Sequence, residues 1–368
     1  MATTSGEYVI PKSAGGAGGG QPGIIVQVFA QTDVGMTREH NEDAFVVANL
    51  TSGQHLEFER LVEQPADPLG MLFMVADGMG GAAAGEIASA TAVDVVLRHL
   101  RDALAGKGRP SPDDFVAQLN EAAEVANWSI FRYASTHPEL RGMGTTSTIA
   151  ALLGDTLYLA QVGDSRAYLV RSGVANQLTK DQSLMQKLIE AGELTEEEAA
   201  QSERRNIILQ ALGPEPTVRL DLTHQKIRRG DILILCSDGL SGLVRPEEIA
   251  RVVEDELDLT SACDRLVSMA NDLGGPDNIT VVAARFEGAG LEPVSAADVV
   301  GHRVFPRGET PAQEPMPVVE PSPVATTPVI EAAPVVDPRR KQRGELYTRV
   351  LAAIGALLLA YMAWRLLT

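Results

Sequence analysis

Short runs of apolar residues, separated by turn residues, recur along the chain from Ile24 to Glu287. The runs are rich in β-branched residues and are bounded by Gly, Asp or Asn, which is typical of β-strands. The pattern predicts strands at 24–32, 44–50, 71–77, 146–153, 156–162, 166–170, 231–238 and 279–286. The segment "LGDT" at 153–156 predicts a tight hairpin between two of these strands.

Apolar residues at helical spacing predict helices between the strands. Two long helices are expected at Ala82–Leu104 and Asp113–Ser135, and Ser111 suits the start of the second one. Two shorter helices are expected near Glu247–Glu254 and Ser261–Leu273. The order is strands, two helices, more strands, helices and a last strand. It predicts a layered α+β domain with stacked sheets rather than a regular βαβ repeat.

The flanking segments differ in composition from this central domain, which we place at residues 23–287. Residues 1–22 are glycine-rich and are expected to be flexible. Residues 288–345 contain ten of the 21 prolines and are expected to form an extended, disordered linker. Residues 346–368 are strongly apolar and form a separate C-terminal segment.

This C-terminal segment predicts a single transmembrane helix. The uncharged stretch Val350–Trp364 is shorter than the roughly 20 residues that span a bilayer. Leu346–Thr368 is long enough if Arg349 and Arg365 reach opposite interfaces. The alternative is an amphipathic or partner-binding helix, but apolar residues occupy every face. Basic residues within 339–343 predict that the membrane-anchored domain faces the cytoplasm.

Composition narrows the possible partners. The formal net charge is −18, which argues against binding nucleic acid because a phosphate backbone requires a basic face. The two cysteines, Cys236 and Cys263, form no disulfide framework, so a reducing compartment is expected. No secretory signal is expected at the N-terminus. The acidic balance is consistent with solubility or with carboxylates that hold cations.

Aspartates recur where predicted strands begin or end. An Asp-Gly pair alone usually marks a turn. Here two such pairs follow apolar strands, and further acids stand next to other strands. Hard divalent cations prefer oxygen ligands, and glycine beside a ligand lets backbone approach the ion. We therefore predict a site for Mg²⁺ or Mn²⁺ built from these aspartates: Asp43, Asp77, Asp164, Asp238 and Asp277.

Seven short motifs surround these aspartates or lie between them. They are "TDVGMTREHNEDAF" (32–45), "VADGMGG" (75–81), "GTTST" (144–148), "VGDSRAY" (162–168), "LTKDQSL" (178–184), "CSDGL" (236–240) and "GGPDNITVV" (274–282). Each motif is weak alone, but the ordered set is specific. The set resembles that of the metal-dependent Ser/Thr protein phosphatases, the PPM or PP2C-like family, and its bacterial branch in particular. The similarity covers residues 24–287 and implies a four-layer αββα sandwich.

The resemblance implies a role for each metal-binding residue. Asp77 is similar to the family's carboxylate that bridges two metals, and Gly78 would contribute its carbonyl with Asp43. Asp238 and Asp277 would hold the other ion. Glu42 is an alternative to Asp43, because some relatives use the acid at that position. Asp164 is similar to a residue that, with Asp238, holds a weaker third metal.

The resemblance also implies substrate contacts and a mechanism. Arg38 would grip the substrate phosphate, and Asp33 would support that arginine. Arg38 and Asp77 are the predicted catalytic residues. Two metals can generate hydroxide from a bridging water and clamp an in-line displacement, so no cysteine nucleophile is required. Met79 stands where many eukaryotic relatives have a histidine thought to protonate the leaving group, so another acid must serve.

Residues Leu178–Leu212 resemble the family's flap, a mobile subdomain beside the site, where Arg204 and Arg205 could meet acidic or phosphorylated substrates. The predicted function is hydrolysis of phosphoserine and phosphothreonine in proteins, opposing a Hanks-type membrane kinase. One alternative is a phosphatase dedicated to a single stress or sporulation regulator. Another is a degenerate domain that only binds phosphoproteins, which the intact aspartates disfavour.

Overall fold

The computed structural model describes residues 23–66, 68–202 and 204–306. Thirteen strands are found in this part of the chain: β1 Ile25–Asp33, β2 Asp43–Asn49, β3 Gln54–His55, β4 Val62–Pro65, β5 Met71–Met79, β6 Gly144–Thr145, β7 Ser147–Leu153, β8 Thr156–Val162, β9 Arg166–Arg171, β10 Val174–Gln177, β11 Asp221–Lys226, β12 Ile232–Cys236 and β13 Ile279–Glu287.

Seven α-helices lie among these strands, together with one 3₁₀ turn at Pro138–Leu140. The helices are α1 Ala82–Leu104, α2 Pro112–Thr136, α3 Leu184–Glu190, α4 Glu196–Ala200, α5 Asp238–Ser241, α6 Pro246–Asp255 and α7 Leu259–Asp272. All four predicted helices are confirmed within two residues at each end. The Ser111 side chain accepts a hydrogen bond from the Asp114 backbone amide and caps α2, as expected.

The strands form two antiparallel sheets. Sheet I has the order β10-β9-β12-β13-β1-β4, and sheet II has the order β11-β8-β7-β5-β2-β3, with β6 paired to β5. The predicted hairpin joins β7 and β8, and Gly154 supplies its positive φ of 63°. The short strands β3, β4, β10 and β11, which the sequence pattern does not predict, lie at the sheet edges or next to them.

Three apolar cores separate four layers. Val28, Phe73 and Phe286 belong to the core between the two sheets, where β13 contacts β2 and β5. The helices α1 and α2 cover the outer face of sheet II, and α6 and α7 cover sheet I. The observed order of layers is therefore helix, sheet, sheet, helix, as expected. This order covers both faces of each sheet, which agrees with strands such as β7, where all seven residues are buried.

The folded domain extends beyond the predicted boundary at Glu287. Residues 288–306, which we call the C-terminal strap, run along the domain instead of entering the linker at once. Leu291 is 1% exposed and belongs to the core between the sheets. The Arg303 carbonyl accepts from the His224 amide at 2.9 Å, and the Phe305 amide donates to the Leu222 carbonyl at 2.8 Å. These bonds extend sheet II at its β11 edge.

An ion pair also holds the C-terminal strap. Arg228 Nε donates to Asp298 Oδ2 at 2.9 Å, and Arg228 Nη2 donates to Asp298 Oδ1 at 2.7 Å. Both side chains are largely buried, at 12% and 14% exposure, so this bidentate pair is shielded from solvent. The boundary at Glu287 was wrong because isolated apolar residues among prolines carry no periodic signal.

Other predicted segments lie outside the described residues. These are the glycine-rich segment 1–22, the linker from residue 307 to 345 and the C-terminal segment 346–368. Between residues 23 and 306, apart from positions 67 and 203, no helix has the length and apolar character needed to cross a bilayer.

We predict that a chain ending at Glu287 is less stable than one ending at Pro306. Removing the strap exposes the core around Leu291, and burial of one leucine contributes about 1.5–3 kcal/mol. It also leaves Arg228 without Asp298. Thermal and urea unfolding should both show the loss. Leu291→Ala in the longer chain is the matched control, and it should reproduce part of the effect. Equal unfolding midpoints for the two chains would show that the strap adds nothing to the fold.

Candidate active site

The predicted site residues meet at the ends of four central strands. On sheet II, β2 and β5 place Asp43 directly opposite Asp77. On sheet I, Asp238 starts α5 two residues after β12, and Asp277 lies two residues before β13. Because β12 and β13 are neighbours and the two sheets are stacked, the four aspartates converge from both sheets. The four acids therefore lie at the same end of the two sheets and interact electrostatically, while their role as metal ligands stays a prediction.

Two strand ends differ from the sequence prediction. Asp77 does not end its strand, because β5 continues to Met79, where Gly78 and Met79 pair with β6. In contrast, β12 ends at Cys236, earlier than predicted, so that Asp238 stands on the first turn of α5. The sequence pattern cannot distinguish these two strand ends, because each segment is an apolar run followed by Asp-Gly.

Glycines permit the close approach of backbone around Asp77 and Asp238. A Cβ on Gly78 would lie 2.3 Å from the Gly85 carbonyl oxygen and 2.5 Å from that of Glu42. A Cβ on Gly239 would lie 2.0 Å from the Asn278 carbonyl oxygen. No side chain fits at these distances, so both Asp-Gly pairs need glycine for packing.

Hydroxyl groups orient Asp43. Its Oδ2 accepts hydrogen bonds from Ser237 Oγ and Thr280 Oγ1, both at 2.7 Å. Its Oδ1 is buried and has no hydrogen-bond partner in the part of the chain that the structure describes. One oxygen of Asp43 is therefore occupied by the protein, while the other remains available to a ligand.

Asn278 joins the loops that carry the acids, a role that the family motifs do not indicate. Its Oδ1 accepts from the Glu42 amide at 2.8 Å. Its Nδ2 donates to the carbonyls of Val34 and His40 at 3.0 and 2.9 Å. Asn278 is 3% exposed, so these bonds are shielded from water. In the sequence, the feature that could have indicated this role is the position of Asn278 inside "DNIT", immediately after Asp277.

Glu42 and Arg38 lie together at the rim of the site. Arg38 Nη2 is 2.8 Å from Asp277 Oδ2, and its Nη1 is 3.9 Å from Glu42 Oε1. The Arg38 side chain is 45% exposed, which leaves donors free to meet a ligand. The Glu42 carboxylate lies against Gly85 in the first turn of α1. Glu42 and Asp43 thus point into different parts of the same site.

Asp33 contacts the backbone that leads to Arg38 rather than the arginine side chain. Its Oδ1 accepts from the Gly35 amide at 2.8 Å and from Asn271 Nδ2 at 3.2 Å. These bonds hold the turn that leads to Arg38. Within the described residues, Asp33 makes no direct ion pair with Arg38. Its effect on the arginine is therefore limited to the path of the backbone.

Asp164 lies on the loop between β8 and β9 and is 7% exposed. Its Oδ1 is buried and unpartnered among the described residues. Burial is the largest cause that raises the pKa of Asp164, and the negative charge of Asp238 is the next largest. Asp164 therefore belongs to the same electrostatic cluster as Asp77 and Asp238.

Burial and mutual repulsion raise the pKa values of the clustered acids. Loss of hydration is the largest cause for Asp43 and Asp164, and the pKa of each rises to about 7. Burial and the charges of Asp43 and Asp238 raise the pKa of Asp77 well above its usual value. Burial and Asp277 raise the pKa of Asp238. The positive charges of Arg38 and Arg166 lower the pKa of Asp238, but they offset burial and repulsion only in part.

The donor set fits a hard divalent cation. The converging side chains are carboxylates, two of them have unpartnered buried oxygens, and their pKa values are raised by burial. No three Asp, Glu, His or Cys side chains of the described residues are close enough together to form a complete metal site. Mg²⁺ often binds through one or two carboxylates and keeps several waters, so such a site does not require three converging carboxylates.

Fold and site together define an αββα sandwich with an acidic centre at one end of its two sheets. A sequence model described as "Protein phosphatase 2C" matches residues 61–275, more than half of the chain. The "Serine/threonine phosphatase stp" of Listeria innocua is 36% identical over 252 residues, covering 68% of this chain and 92% of the relative. The chain therefore belongs to the protein phosphatase 2C family and is a serine/threonine phosphatase.

Relatives of known structure agree with the fold. "Serine/threonine protein phosphatase PstP" of Mycobacterium tuberculosis is 35% identical over 284 residues, which cover 76% of this chain and 49% of the relative. The crystal structure of that phosphatase covers 72% of this chain and 99% of its own with a TM-score of 0.60. Another crystal structure, of the PstP catalytic domain in complex with two manganese ions, has a TM-score of 0.59. Family membership thus implies dependence on Mn²⁺ or Mg²⁺.

We predict that the metal-free protein loses stability as pH rises from about 4 to about 7. Unfolded aspartates ionise near 3.9, whereas Asp43 and Asp164 hold their protons to about 7 when folded. A raised folded-state pKa favours the folded state below the unfolded pKa, and this advantage is lost as pH rises through the folded value. The unfolding temperature in chelator should therefore fall from pH 5 to pH 8, and Mn²⁺ should reduce the fall.

Asp164→Asn is the matched variant, because asparagine stays neutral and should flatten the slope. Asp94→Asn, on the exposed face of α1, should leave the slope unchanged. An unfolding temperature that rises over this pH interval in chelator would contradict the upward pKa shifts of Asp43 and Asp164.

Proposed function

We propose that the chain hydrolyses phosphoserine and phosphothreonine in proteins with two divalent cations held by the clustered aspartates. The observation that carries the proposal is that Asp43 and Asp77 on one sheet, and Asp238 and Asp277 beside the other, lie at the same end of the fold. The exposed guanidinium of Arg38 lies next to them. A phosphate monoester is a dianion, so a site for it must supply positive charge to a cluster that is otherwise negative. When bound, the cations supply that charge and activate a water for attack.

Each acid has a proposed place in the donor set. Asp77 lies opposite Asp43, and the charge of Asp238 acts on it, which suits a carboxylate shared by two ions. Asp238 and Asp277 would hold one ion. The Gly78 carbonyl and the open Oδ1 of Asp43 would hold the other, with Glu42 as the alternative to Asp43. Asp164 would contribute to a weaker third site on the Asp238 side.

Arg38 is proposed to bind the substrate phosphate. A guanidinium presents a planar fork of donors that matches two phosphate oxygens. Its contacts with Asp277 and Glu42 hold it at the rim of the site, and its 45% exposure leaves the outer donors accessible. A substrate phosphate held there would lie beside the acids that are proposed to bind the cations.

We predict that Asp77→Asn and Asp238→Asn each remove nearly all hydrolysis of p-nitrophenyl phosphate and of a phosphothreonine peptide. Each change removes a charged ligand without changing side-chain volume, and it also removes a buried charge. The metal-free fold should therefore be as stable as wild type or more so. Activity should be measured across a Mn²⁺ titration, with Asp94→Asn as the surface control. Turnover within a few-fold of wild type at saturating Mn²⁺ would overturn the assignment.

We further propose that the C-terminal segment anchors the enzyme in the cell membrane with the catalytic domain in the cytoplasm. Support comes from the apolar stretch in 346–368 and from the basic residues that precede it. The physiological substrates would then include a membrane Ser/Thr kinase and its phosphorylated targets, because a tether raises the local concentration of partners in the same membrane.

We predict that the full-length chain sediments with membranes and resists extraction at about 1 M salt, where the Debye length falls to about 3 Å. A chain ending at Pro306 should remain in the supernatant with wild-type turnover on peptides. Leu358→Arg is the matched variant and should weaken membrane retention. An arginine at the centre of a spanning helix raises the free energy of membrane insertion by about 2.5–3.5 kcal/mol. Release of the full-length protein by salt alone would exclude a spanning segment.

A further inference from the structure

Arg166 lies between the acidic cluster and the base of the flap, the segment Leu178–Leu212. It follows Asp164 by two residues at the start of β9, and its register partner on β12 is Cys236, two residues before Asp238. The positive charge of Arg166 lowers the pKa values of both Asp164 and Asp238, against the stronger effect of burial. Arg166 therefore acts electrostatically on these two acids, and it belongs to the same segment, "VGDSRAY", as Asp164.

The guanidinium of Arg166 is held by Asp181. Arg166 Nε lies 3.0 Å from both carboxylate oxygens, and Nη2 donates to Oδ2 at 2.7 Å. Arg166 Nη1 also donates to the Tyr168 hydroxyl at 3.1 Å. The Asp181 side chain is only 9% exposed. A bidentate, shielded pair of this kind fixes the relative positions of two backbone segments, unlike an exposed surface pair.

The segment that follows Asp181 is joined by hydrogen bonds to the loop that carries Asp164. The Gln182 amide donates to the Gly163 carbonyl at 2.8 Å, and the Gly163 amide donates to Gln182 Oε1 at 3.1 Å. The Gln182 carbonyl also accepts from the Leu209 amide at 2.8 Å. The entry of the flap is therefore bonded directly to the loop that positions Asp164, and the exit is bonded to that loop through Gln182.

The same loop is linked to Asp77. The Asp77 amide donates to Thr146 Oγ1 at 2.9 Å, and Thr146 Oγ1 is 2.8 Å from Ser165 Oγ. Ser165 is the residue between Asp164 and Arg166 and is fully buried. A movement at the base of the flap would thus reach Asp164 directly and Asp77 through two buried hydroxyls.

The flap presents groups that suit a polypeptide ligand. Ile207 and Leu209 are 43% and 40% exposed on its exit segment, and Arg204 and Arg205 precede them on an exposed turn. Apolar and basic groups side by side can contact the residues that flank a phosphorylated side chain. A small phosphate ester has no such flanking residues and would not contact this surface.

We propose that Arg166 and Asp181 form a positioning pair that couples the flap to the acidic cluster, so that hydrolysis of protein substrates depends on the pair more than hydrolysis of small esters does. Breaking the pair frees the base of the flap and the Asp164 loop to move independently. A substrate bound to the flap then no longer holds its phosphate in register with the acids. The inference rests on the proposed use of the aspartates, and Arg166 acts through other residues rather than on the substrate.

The test compares full-length protein in mild detergent with the variants Arg166→Met, Arg166→Lys and Asp181→Asn. Values of kcat and KM are measured at saturating Mn²⁺ for p-nitrophenyl phosphate and for a phosphothreonine peptide. Arg166→Met and Asp181→Asn should each lower kcat/KM for the peptide at least tenfold more than for the small ester. Arg166→Lys keeps the charge but not the fork, so it should recover part of the loss.

Arg228→Met is the matched control, because Arg228 makes a similar shielded bidentate pair with Asp298 away from the acids. It should lower the unfolding temperature without changing the ratio of the two kcat/KM values. A second readout is the rate of tryptic cleavage after Arg204 and Arg205, followed by mass spectrometry. Cleavage there should be faster in Arg166→Met and Asp181→Asn than in wild type or Arg228→Met.

The double variant Arg166→Met with Asp181→Asn tests whether the two residues act as one unit. Its decrease in kcat/KM for the peptide should equal that of Arg166→Met alone, because the first substitution already removes the interaction between the two residues. Equal losses on both substrates, or additive losses in the double variant, would overturn the coupling while leaving the phosphatase assignment intact. A wild-type enzyme without Mn²⁺-dependent turnover would instead contradict the proposed function.

Discussion

The repulsion among carboxylates buried at one end of two stacked sheets is the constraint on which this site depends. Asp43, Asp77, Asp164 and Asp238 all have raised pKa values because the fold removes them from water and places them beside one another. Such an arrangement opposes folding near neutral pH unless protons or cations neutralise it. The repulsion and lost hydration that destabilise the metal-free protein therefore favour the binding of divalent ions.

The surrounding residues maintain this arrangement. Glycines at 78 and 239 let backbone segments approach within distances that any side chain would block. Ser237 and Thr280 fix one oxygen of Asp43, and Asn278 ties the loops of the two sheets together. Apolar cores on both sides of each sheet hold the strands at the required spacing. These contacts position the centre of the site, while the exposed Arg38 and the flap lie at its margin.

Much of the fold and of the site could be predicted from local sequence patterns. The helix α1 is predicted to the residue because small and apolar positions recur at helical spacing, and the five aspartates are marked by glycine and by adjacent apolar runs. The edge strand β11, "DLTHQK", was missed because its alternation is weak. The C-terminal strap was missed because Leu291 and Phe305 are isolated apolar residues with no helical or strand period around them. Sequence also could not distinguish Asp43 from Glu42, since their orientation depends on hydroxyls more than 190 positions away.

Proton release on metal binding is the most direct test of the central claim. Mn²⁺ is titrated calorimetrically into the metal-free, full-length protein in two buffers that differ in ionisation enthalpy, at about pH 6.5 and about pH 8.5. Acids that hold protons to about 7 must release them when a cation binds, so the heats should differ between buffers at the lower pH. The difference should shrink at the higher pH, where the acids are already ionised. Heats that are independent of buffer at pH 6.5 would contradict the claim that burial keeps these carboxylates protonated until a metal replaces the proton.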